Sequence, residues 1–120
     1  MQVFLICPVR NVEEEENKTI ESYVLELESK GVSVYWPKRD TDQNDPIGYQ
    51  ICEANFEAIR SSDEVHIWWN PTSQGTLFDL GMAFALNKKI HIVNSDSVSP
   101  TESKSFTNLL LFLDEIDFPK

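Results

Sequence analysis

The chain has 120 residues, 41% of them hydrophobic, which is the size of one domain able to bury its own core. Twenty acidic residues against ten Lys and Arg give a net charge of −10, which argues against a protein that binds nucleic acid by neutralising phosphates. No apolar run approaches the ~20 residues of a membrane span, and no basic segment precedes the first strand pattern, so neither a membrane helix nor a signal peptide is expected. Only two cysteines are present, which favours a reducing, cytoplasmic compartment.

Strand and helix patterns alternate along the chain. Short apolar runs rich in branched and aromatic residues predict four buried strands, at 2–7, 32–36, 64–69 and 89–93. Helical spacing of apolar residues predicts four helices, at 13–30, 45–61, 76–87 and 106–116. The stretches 38–45 and 94–105 are polar and are predicted to be loops.

Local signals mark the ends of the first two helices. Asn11 followed by Glu14 is a capping-box pattern, and Gly31 is suited to end the first helix. Asp45 and Pro46 predict the cap and the first residue of the second helix.

The alternation is typical of α/β proteins. It predicts one domain over residues 1–120, a three-layer α/β/α sandwich with a mainly parallel, Rossmann- or flavodoxin-like sheet. Ligands bind such sheets beyond the carboxyl ends of the strands. The loops that follow the four strands are therefore the place to look for a site.

Two of these loops carry cations. Arg10 follows the first strand, and Lys38 and Arg39 follow the second. Their position suits an anionic ligand, although loops are also commonly charged without binding anything.

The loop after the third strand leads directly into a helix. Ser73, Gly75 and Thr76 form a small, hydroxyl-bearing turn that either cradles an anion at the helix N-terminus or simply caps the helix. Asp79, one turn further on, shares a face with Thr76 and is either a partner of the helix dipole or a nucleophile or base.

Other residues leave structural and functional interpretations open. Asn55 lies on an apolar helical stripe that also holds Ile47, Ile51 and Ile59, so its amide is either a satisfied core group or a ligand contact. Trp69 ends the third strand, where it either packs in the core or stacks on a ring, as its neighbour Trp68 also could. His66, His91 and Cys7 are expected to be structural, and no metal-ligand spacing is present.

Three stretches together resemble the nucleoside 2-deoxyribosyltransferase-like superfamily, over about residues 2–93. They are FLICPVR at 4–10, NFEAIRSSD at 55–63 and, most specifically, SQGTLFDLGMA at 73–83, which is similar to the pattern SxGxxxELGxA. The superfamily includes nucleoside deoxyribosyltransferases and 2'-deoxynucleoside 5'-monophosphate N-glycosidases, which break the bond between deoxyribose and base.

The resemblance implies roles for particular residues. Asp79 stands at the position of the nucleophilic Glu that attacks C1', and Asn55 stands at that of an Asp that supports the chemistry. Ser73 stands where the glycosidases have a serine that binds the 5'-phosphate, and Arg10 matches a basic residue of their ligand loop, so both are expected to hold the phosphate. Substrate contacts are also expected from Pro8, Gly75 and Trp69.

Both presumed catalytic positions depart from the family pattern. Asp79 is one methylene shorter than Glu, and Asn55 cannot exchange a proton as a carboxyl does. Cys7 also replaces a glycine common at the ligand loop. Two functions therefore stand side by side: an enzyme acting on a (deoxy)nucleoside 5'-monophosphate with Asp79 as nucleophile, or a non-catalytic nucleotide-binding or sensing module.

The resemblance also bears on partners. It implies a small nucleoside or nucleotide as ligand, no cofactor, and a homodimer or larger homo-oligomer. The apolar run Leu109–Leu113 is a candidate interface, and its alternative is packing on the chain's own sheet.

Overall fold

The computed structural model describes residues 1–120 and contains one all-parallel sheet with the strand order β2-β1-β3-β4. The strands are β1 (Gln2–Ile6), β2 (Ser33–Tyr35), β3 (Glu64–Ile67) and β4 (Lys89–Ile92). The predicted α/β fold with a parallel sheet is confirmed, and each strand falls inside the run predicted for it.

Five helices connect or follow these strands, together with a short 3-10 turn at Ser95–Ser97. They are α1 (Glu14–Ser29), α2 (Pro37–Asp40), α3 (Tyr49–Ser61), α4 (Gln74–Ala85) and α5 (Phe106–Asp117). None of them combines the length and the apolar character that a membrane crossing requires.

Alternate side chains of the strands point to opposite faces of the sheet and build two cores. Phe4 and Ile6 belong to the larger one, which they share with buried residues of α3, α4 and α5. Leu5 and Cys7 belong to the smaller one, beneath α1. Helices therefore cover both faces, as expected of a three-layer sandwich.

The predicted capping box of α1 is wrong. Glu13 is the N-cap and makes no side-chain capping bond, while Asn11 adopts a left-handed conformation with φ of 55°. Three glutamates in the first turn instead complement the positive end of the helix dipole. Gly31 does follow the end of the helix, with the positive φ of 87° that favours glycine there.

Helix α3 starts later than predicted, at Tyr49, after a left-handed Gly48. Asp45 nevertheless acts as a cap from upstream, because its carboxylate accepts the backbone N–H groups of Gln50 and Ile51 at 2.8 and 3.3 Å. The late start leaves Ile47 outside the helix and 87% exposed, so it is not part of the apolar stripe.

Two other predictions change in detail, one for a loop and one for an apolar run. The polar stretch 38–45 begins within α2, a single turn that Pro37 opens with its fixed φ. The run Leu109–Leu113 packs partly on the sheet: Leu110 is fully buried in the larger core, whereas Phe112 is 61% exposed.

Candidate active site

A cavity of about 610 Å³ opens at the carboxyl edge of the sheet, next to the ends of β1 and β3. The chain runs from β1 to α1 on one face, whereas α4 follows β3 on the other, so the cavity lies at the switch point of the strand order. Five of the predicted site residues line it together with Asp79: Pro8, Arg10, Asn55, Ser73 and Gly75.

Asp79 places a nearly buried carboxyl on this cavity. Helix α4 begins at Gln74, so Asp79 lies beyond its first turn, on the buried face that also holds Thr76, Leu80 and Ala83. Burial penalises the ionised form and raises the pKa of Asp79 from 3.8 to about 7, while the hydrogen bond from Asn55 acts in the opposite direction. The carboxyl therefore gains or loses its proton near neutral pH.

Asn55 is the polar residue on the buried face of α3, and both ends of its amide are occupied. Its Nδ2 donates to Oδ2 of Asp79 at 3.4 Å, and its Oδ1 accepts the hydroxyl of Thr41 at 2.9 Å. The structural alternative for Asn55 is therefore confirmed, because the amide is satisfied inside the protein. Asn55 also lines the cavity, so its contact with a ligand stays a prediction.

The N-terminus of α4 faces the same cavity. Ser73 is the N-cap, and its Oγ accepts the backbone N–H of Thr76 at 3.2 Å. The N–H groups of Gln74 and Gly75 have no acceptor within the helix because they belong to its first turn. Capping by Ser73 thus leaves the positive end of the helix open to an anion.

The three cations of the edge loops do not gather at the cavity. Arg39 binds the carboxylates of Glu28 and Asp40 and the carbonyl of Val34, at 2.8–3.2 Å. These bonds raise the pKa of the Arg39 guanidinium and use its donors within the protein. Lys38 is exposed and outside the cavity lining, whereas Arg10 lines it and makes no ion pair.

The predicted substrate contact of Trp69 is wrong. Its side chain is 5% exposed, lies in the larger core and donates its indole N–H to Thr107 Oγ1 at 3.0 Å. Its neighbour Trp68 packs against the smaller core on the opposite face. The aromatic residue that does line the cavity is Phe78, which is 55% exposed.

Sequence reasoning also missed residues that line or support the site. The position of Phe78 could have been noticed in the sequence, because it is a large apolar residue that lies next to, and not on, the buried face of α4. Thr41 gave no such indication, because it lies in a polar loop and reaches Asn55 only through the fold. The other cavity-lining residues that were not predicted include Gln43, Ile51 and Cys52.

The remaining titratable candidates are structural. Burial raises the pKa of the Cys7 thiol to about 12, which leaves it un-ionised at neutral pH. His66 lies between Tyr23 and Glu64, with bonds of 2.6 and 2.8 Å, and His91 pairs with Asp114 at 2.9 Å. No group of three or more His, Cys, Asp or Glu side chains is arranged to hold a metal ion.

A family model described as Nucleoside 2-deoxyribosyltransferase matches residues 3–110. The chain therefore belongs to the nucleoside 2-deoxyribosyltransferase family, and the resemblance seen in its sequence is confirmed. The match covers the four strands except Gln2, all residues that line the cavity, and the helices up to the first part of α5. No curated protein sequence gives a significant match.

Solved structures agree with this assignment. The Clostridium botulinum CMP N-glycosidase BcmB is 31% identical, covers 77% of this chain and 70% of its own, and superposes with a TM-score of 0.61. The 2-deoxyribosyltransferase of Bacillus psychrosaccharolyticus is 20% identical over 88% of this chain and 77% of its own, with a TM-score of 0.64. The enzyme of Leishmania mexicana is 20% identical over 76% of this chain and 62% of its own, with a TM-score of 0.59. The last two establish a shared fold.

Proposed function

We propose that this protein breaks the N-glycosidic bond of a (deoxy)nucleoside 5'-monophosphate, by hydrolysis or by deoxyribosyl transfer, with Asp79 as the nucleophile. The observation that carries the proposal is the Asp79 carboxyl itself, which is buried, lines a cavity of about 610 Å³ and is bonded to Asn55. A cavity of this size suits a small metabolite. The family of the chain and its 31% identity to a CMP N-glycosidase support the reaction class.

The reaction needs only groups that line the cavity, water and substrate. The Asp79 carboxylate attacks C1' of the sugar, and a new C–O ester bond forms as the C–N bond to the base breaks. The base departs with the bonding electron pair and takes a proton from solvent. Water then attacks the ester and releases the sugar phosphate, or a second base attacks and the sugar is transferred; either route regenerates the Asp79 carboxylate.

A 5'-phosphate suits the part of the cavity lining formed by Arg10 and the N-terminus of α4. Arg10 supplies a cation whose donors are not used by any carboxylate of the chain, and the first turn of α4 supplies the free N–H groups of Gln74 and Gly75. Ser73 contributes a hydroxyl, and Pro8 shapes the loop that carries Arg10. In a chain with a net charge of −10, this concentration of donors favours an anionic ligand over a neutral nucleoside.

A second candidate is a nucleotide-binding module without catalysis. It is favoured by the amide of Asn55 at the position where the family has an Asp, and by the pKa of Asp79 near 7, which leaves much of the carboxyl protonated at neutral pH. Such a module would bind the same ligands in the same cavity and release no base.

Base release distinguishes the two candidates. The purified protein is incubated with ribo- and deoxyribonucleoside 5'-monophosphates, and free base is measured by chromatography for wild type, Asp79→Asn and the exposed control Asp96→Asn. We expect release by wild type and by the control, and none by Asp79→Asn, which still shows thermal stabilisation by the ligand. Thermal stabilisation without base release by wild type would favour the binding module, and an active Asp79→Asn would remove Asp79 as nucleophile.

We also propose that the protein acts as a homodimer or larger homo-oligomer. Phe78, 55% exposed at the cavity, and Tyr49, 65% exposed at the start of α3, leave apolar surface near the site. Sedimentation of wild type and Phe78→Asp tests this: we expect a dimer or larger for wild type and a smaller species for the variant. A monomeric wild type would contradict it.

A further inference from the structure

A continuous chain of hydrogen bonds leads from Tyr35 to Asp79. The hydroxyl of Tyr35 lies 2.6 Å from Oγ1 of Thr41, which donates to Oδ1 of Asn55 at 2.9 Å. Nδ2 of Asn55 then donates to Oδ2 of Asp79 at 3.4 Å. These hydrogen bonds start in β2, continue through the loop after α2 and through α3, and end in α4. They therefore link four separate segments in series, the last of which carries the carboxyl.

The chemistry of the four groups fixes the direction of these bonds. An amide oxygen only accepts, so the single hydroxyl proton of Thr41 is committed to Asn55. Thr41 must then accept from Tyr35, whose proton is committed in turn. In this arrangement the N–H₂ group of Asn55 faces Asp79, in agreement with the 3.4 Å contact between Nδ2 and Oδ2.

The reverse orientation of the amide is disfavoured by the same network. It would direct an N–H of Asn55 at Thr41, turn the Thr41 proton towards Tyr35, and leave Tyr35 only the carbonyl of Asp40 at 3.3 Å. The Tyr35 hydroxyl would then donate over 3.3 Å to Asp40 and no longer over 2.6 Å to Thr41, and the longer bond is the weaker one.

We propose that Thr41, supported by Tyr35, is a positioning residue that holds the Asn55 amide with its N–H₂ group towards Asp79 and so favours the ionised form of the attacking carboxyl. The proposal rests on the function proposed above for Asp79. Thr41 and Tyr35 lie outside the cavity lining. They would affect the reaction only by fixing the orientation of the Asn55 amide.

The surroundings of Asp79 explain why this orientation matters. Two titratable groups lie near it, the thiols of Cys7 from the end of β1 and Cys52 from α3. The charge of Asp79 contributes to raising the pKa of both thiols, which are neutral at pH 7 and supply no positive charge to the carboxyl. Glu16 and Arg10 lie further along the lining, and neither bonds to Asp79. The amide of Asn55 is the group that favours the ionised carboxyl against the effect of burial.

The test compares Thr41→Val, which keeps the shape and removes the hydroxyl, with Thr41→Ser, which restores it. Thr107→Val is the matched control, because it removes a hydroxyl that partners Trp69 outside the cavity. The first measurement is a ¹³C NMR titration of the Asp79 carboxyl, which needs no enzymatic activity. The second is kcat/KM for base release as a function of pH.

We expect Thr41→Val to raise the pKa of Asp79 by about one unit and to lower kcat/KM about tenfold at pH 6, with kcat carrying the loss. Thr41→Ser and Thr107→Val are expected to behave like wild type in both measurements. A Thr41→Val protein that folds but titrates and reacts like wild type would overturn the proposal.

Two further outcomes are distinguished. If the carboxyl titration shifts as expected but wild type releases no base, the positioning of the carboxyl stands and the proposed function fails. If Thr41→Val does not fold, Tyr35→Phe takes its place, since it removes only the first bond of the chain. We expect it to shift the Asp79 titration in the same direction by a smaller amount, and an unshifted titration would overturn the proposal.

Discussion

The carboxyl of Asp79 and the amide of Asn55 meet where α3 and α4 face the cavity, with Nδ2 3.4 Å from Oδ2. Burial and the amide act on this carboxyl in opposite directions. Burial prevails and raises the pKa of Asp79 to about 7, although the amide still lowers it from the value that burial alone would give. The charge of the proposed nucleophile therefore depends on its burial and, in the opposite direction, on one neighbouring side chain.

The rate of base release should follow the ionisation of Asp79. Only the carboxylate can attack, so kcat/KM should rise with pH through about 7 and level off above it, with a value at pH 6 about tenfold below the plateau. Because a substrate phosphate also titrates, near pH 6, the profile is measured with a 5'-monophosphate and with the corresponding nucleoside. A profile that is flat between pH 5 and 8 for both would contradict this assignment.

The ionised carboxyl of Asp79 should lower the free energy of unfolding at neutral and alkaline pH. Its pKa is raised in the folded state, so the folded chain binds the proton more tightly, and the free energy of unfolding falls as pH rises from about 4 to 7. Asp79→Asn removes the buried charge. We expect this variant to match wild type below pH 4 and to exceed it above pH 7 by at most about 4 kcal/mol.

Urea unfolding at pH 4 and pH 8 measures this difference. The exposed Asp96→Asn is the control, and its stability relative to wild type should not change between the two pH values. Equal stability of Asp79→Asn and wild type at pH 8 would mean that the carboxyl is better solvated than its 8% exposure indicates.

Replacing the amide with a second carboxyl should move the titration upward. In Asn55→Asp two carboxyls would lie about 3.4 Å apart in a desolvated site, where both cannot ionise readily. The pair then titrates jointly, and the rising part of the kcat/KM profile should shift by more than one pH unit to higher pH. Asn87→Asp adds the same charge at an exposed position beyond the C-terminal end of α4, outside the cavity lining, and should leave the profile unchanged. An unshifted or lowered profile in Asn55→Asp would show that Asn55 does not control the Asp79 charge.

Much of this arrangement could be predicted from the sequence because it depends on local periodicity. Alternating strand and helix patterns located the sheet. The rule that ligands bind at the carboxyl edge selected the loops after all four strands, and those after β1, β2 and β3 line the cavity whereas 94–105 does not. Asn55 and Asp79 were identified by their positions on buried helical faces, which follow from 3.6-residue spacing.

The errors concern side chains whose partners are distant in sequence. Trp69 was expected at the cavity, but it bonds to Thr107, 38 residues away, in the core. Arg39 was grouped with Arg10, but Glu28, 11 residues earlier, binds it. Thr41 gave no signal, because its partner Asn55 approaches only when α3 packs against the sheet. Pattern and spacing indicate the face of an element, and the fold decides which groups meet there.

Arg10 and Arg39 offer a direct test of the phosphate site, since they are the same residue type in two different settings. Arg10→Met should lower kcat/KM for a 5'-monophosphate about 10- to 100-fold, the effect of losing a charged hydrogen bond, and leave the nucleoside value unchanged. Arg39→Met removes bonds to Glu28, Asp40 and the Val34 carbonyl. It should lower the free energy of unfolding by about 1 kcal/mol and leave the ratio of the two kcat/KM values unchanged.

Both variants lose one positive charge, so a general electrostatic effect would reduce the ratio of the 5'-monophosphate value to the nucleoside value equally in the two. An unchanged ratio in Arg10→Met would place the phosphate away from Arg10 and leave the first turn of α4 as the alternative anion site.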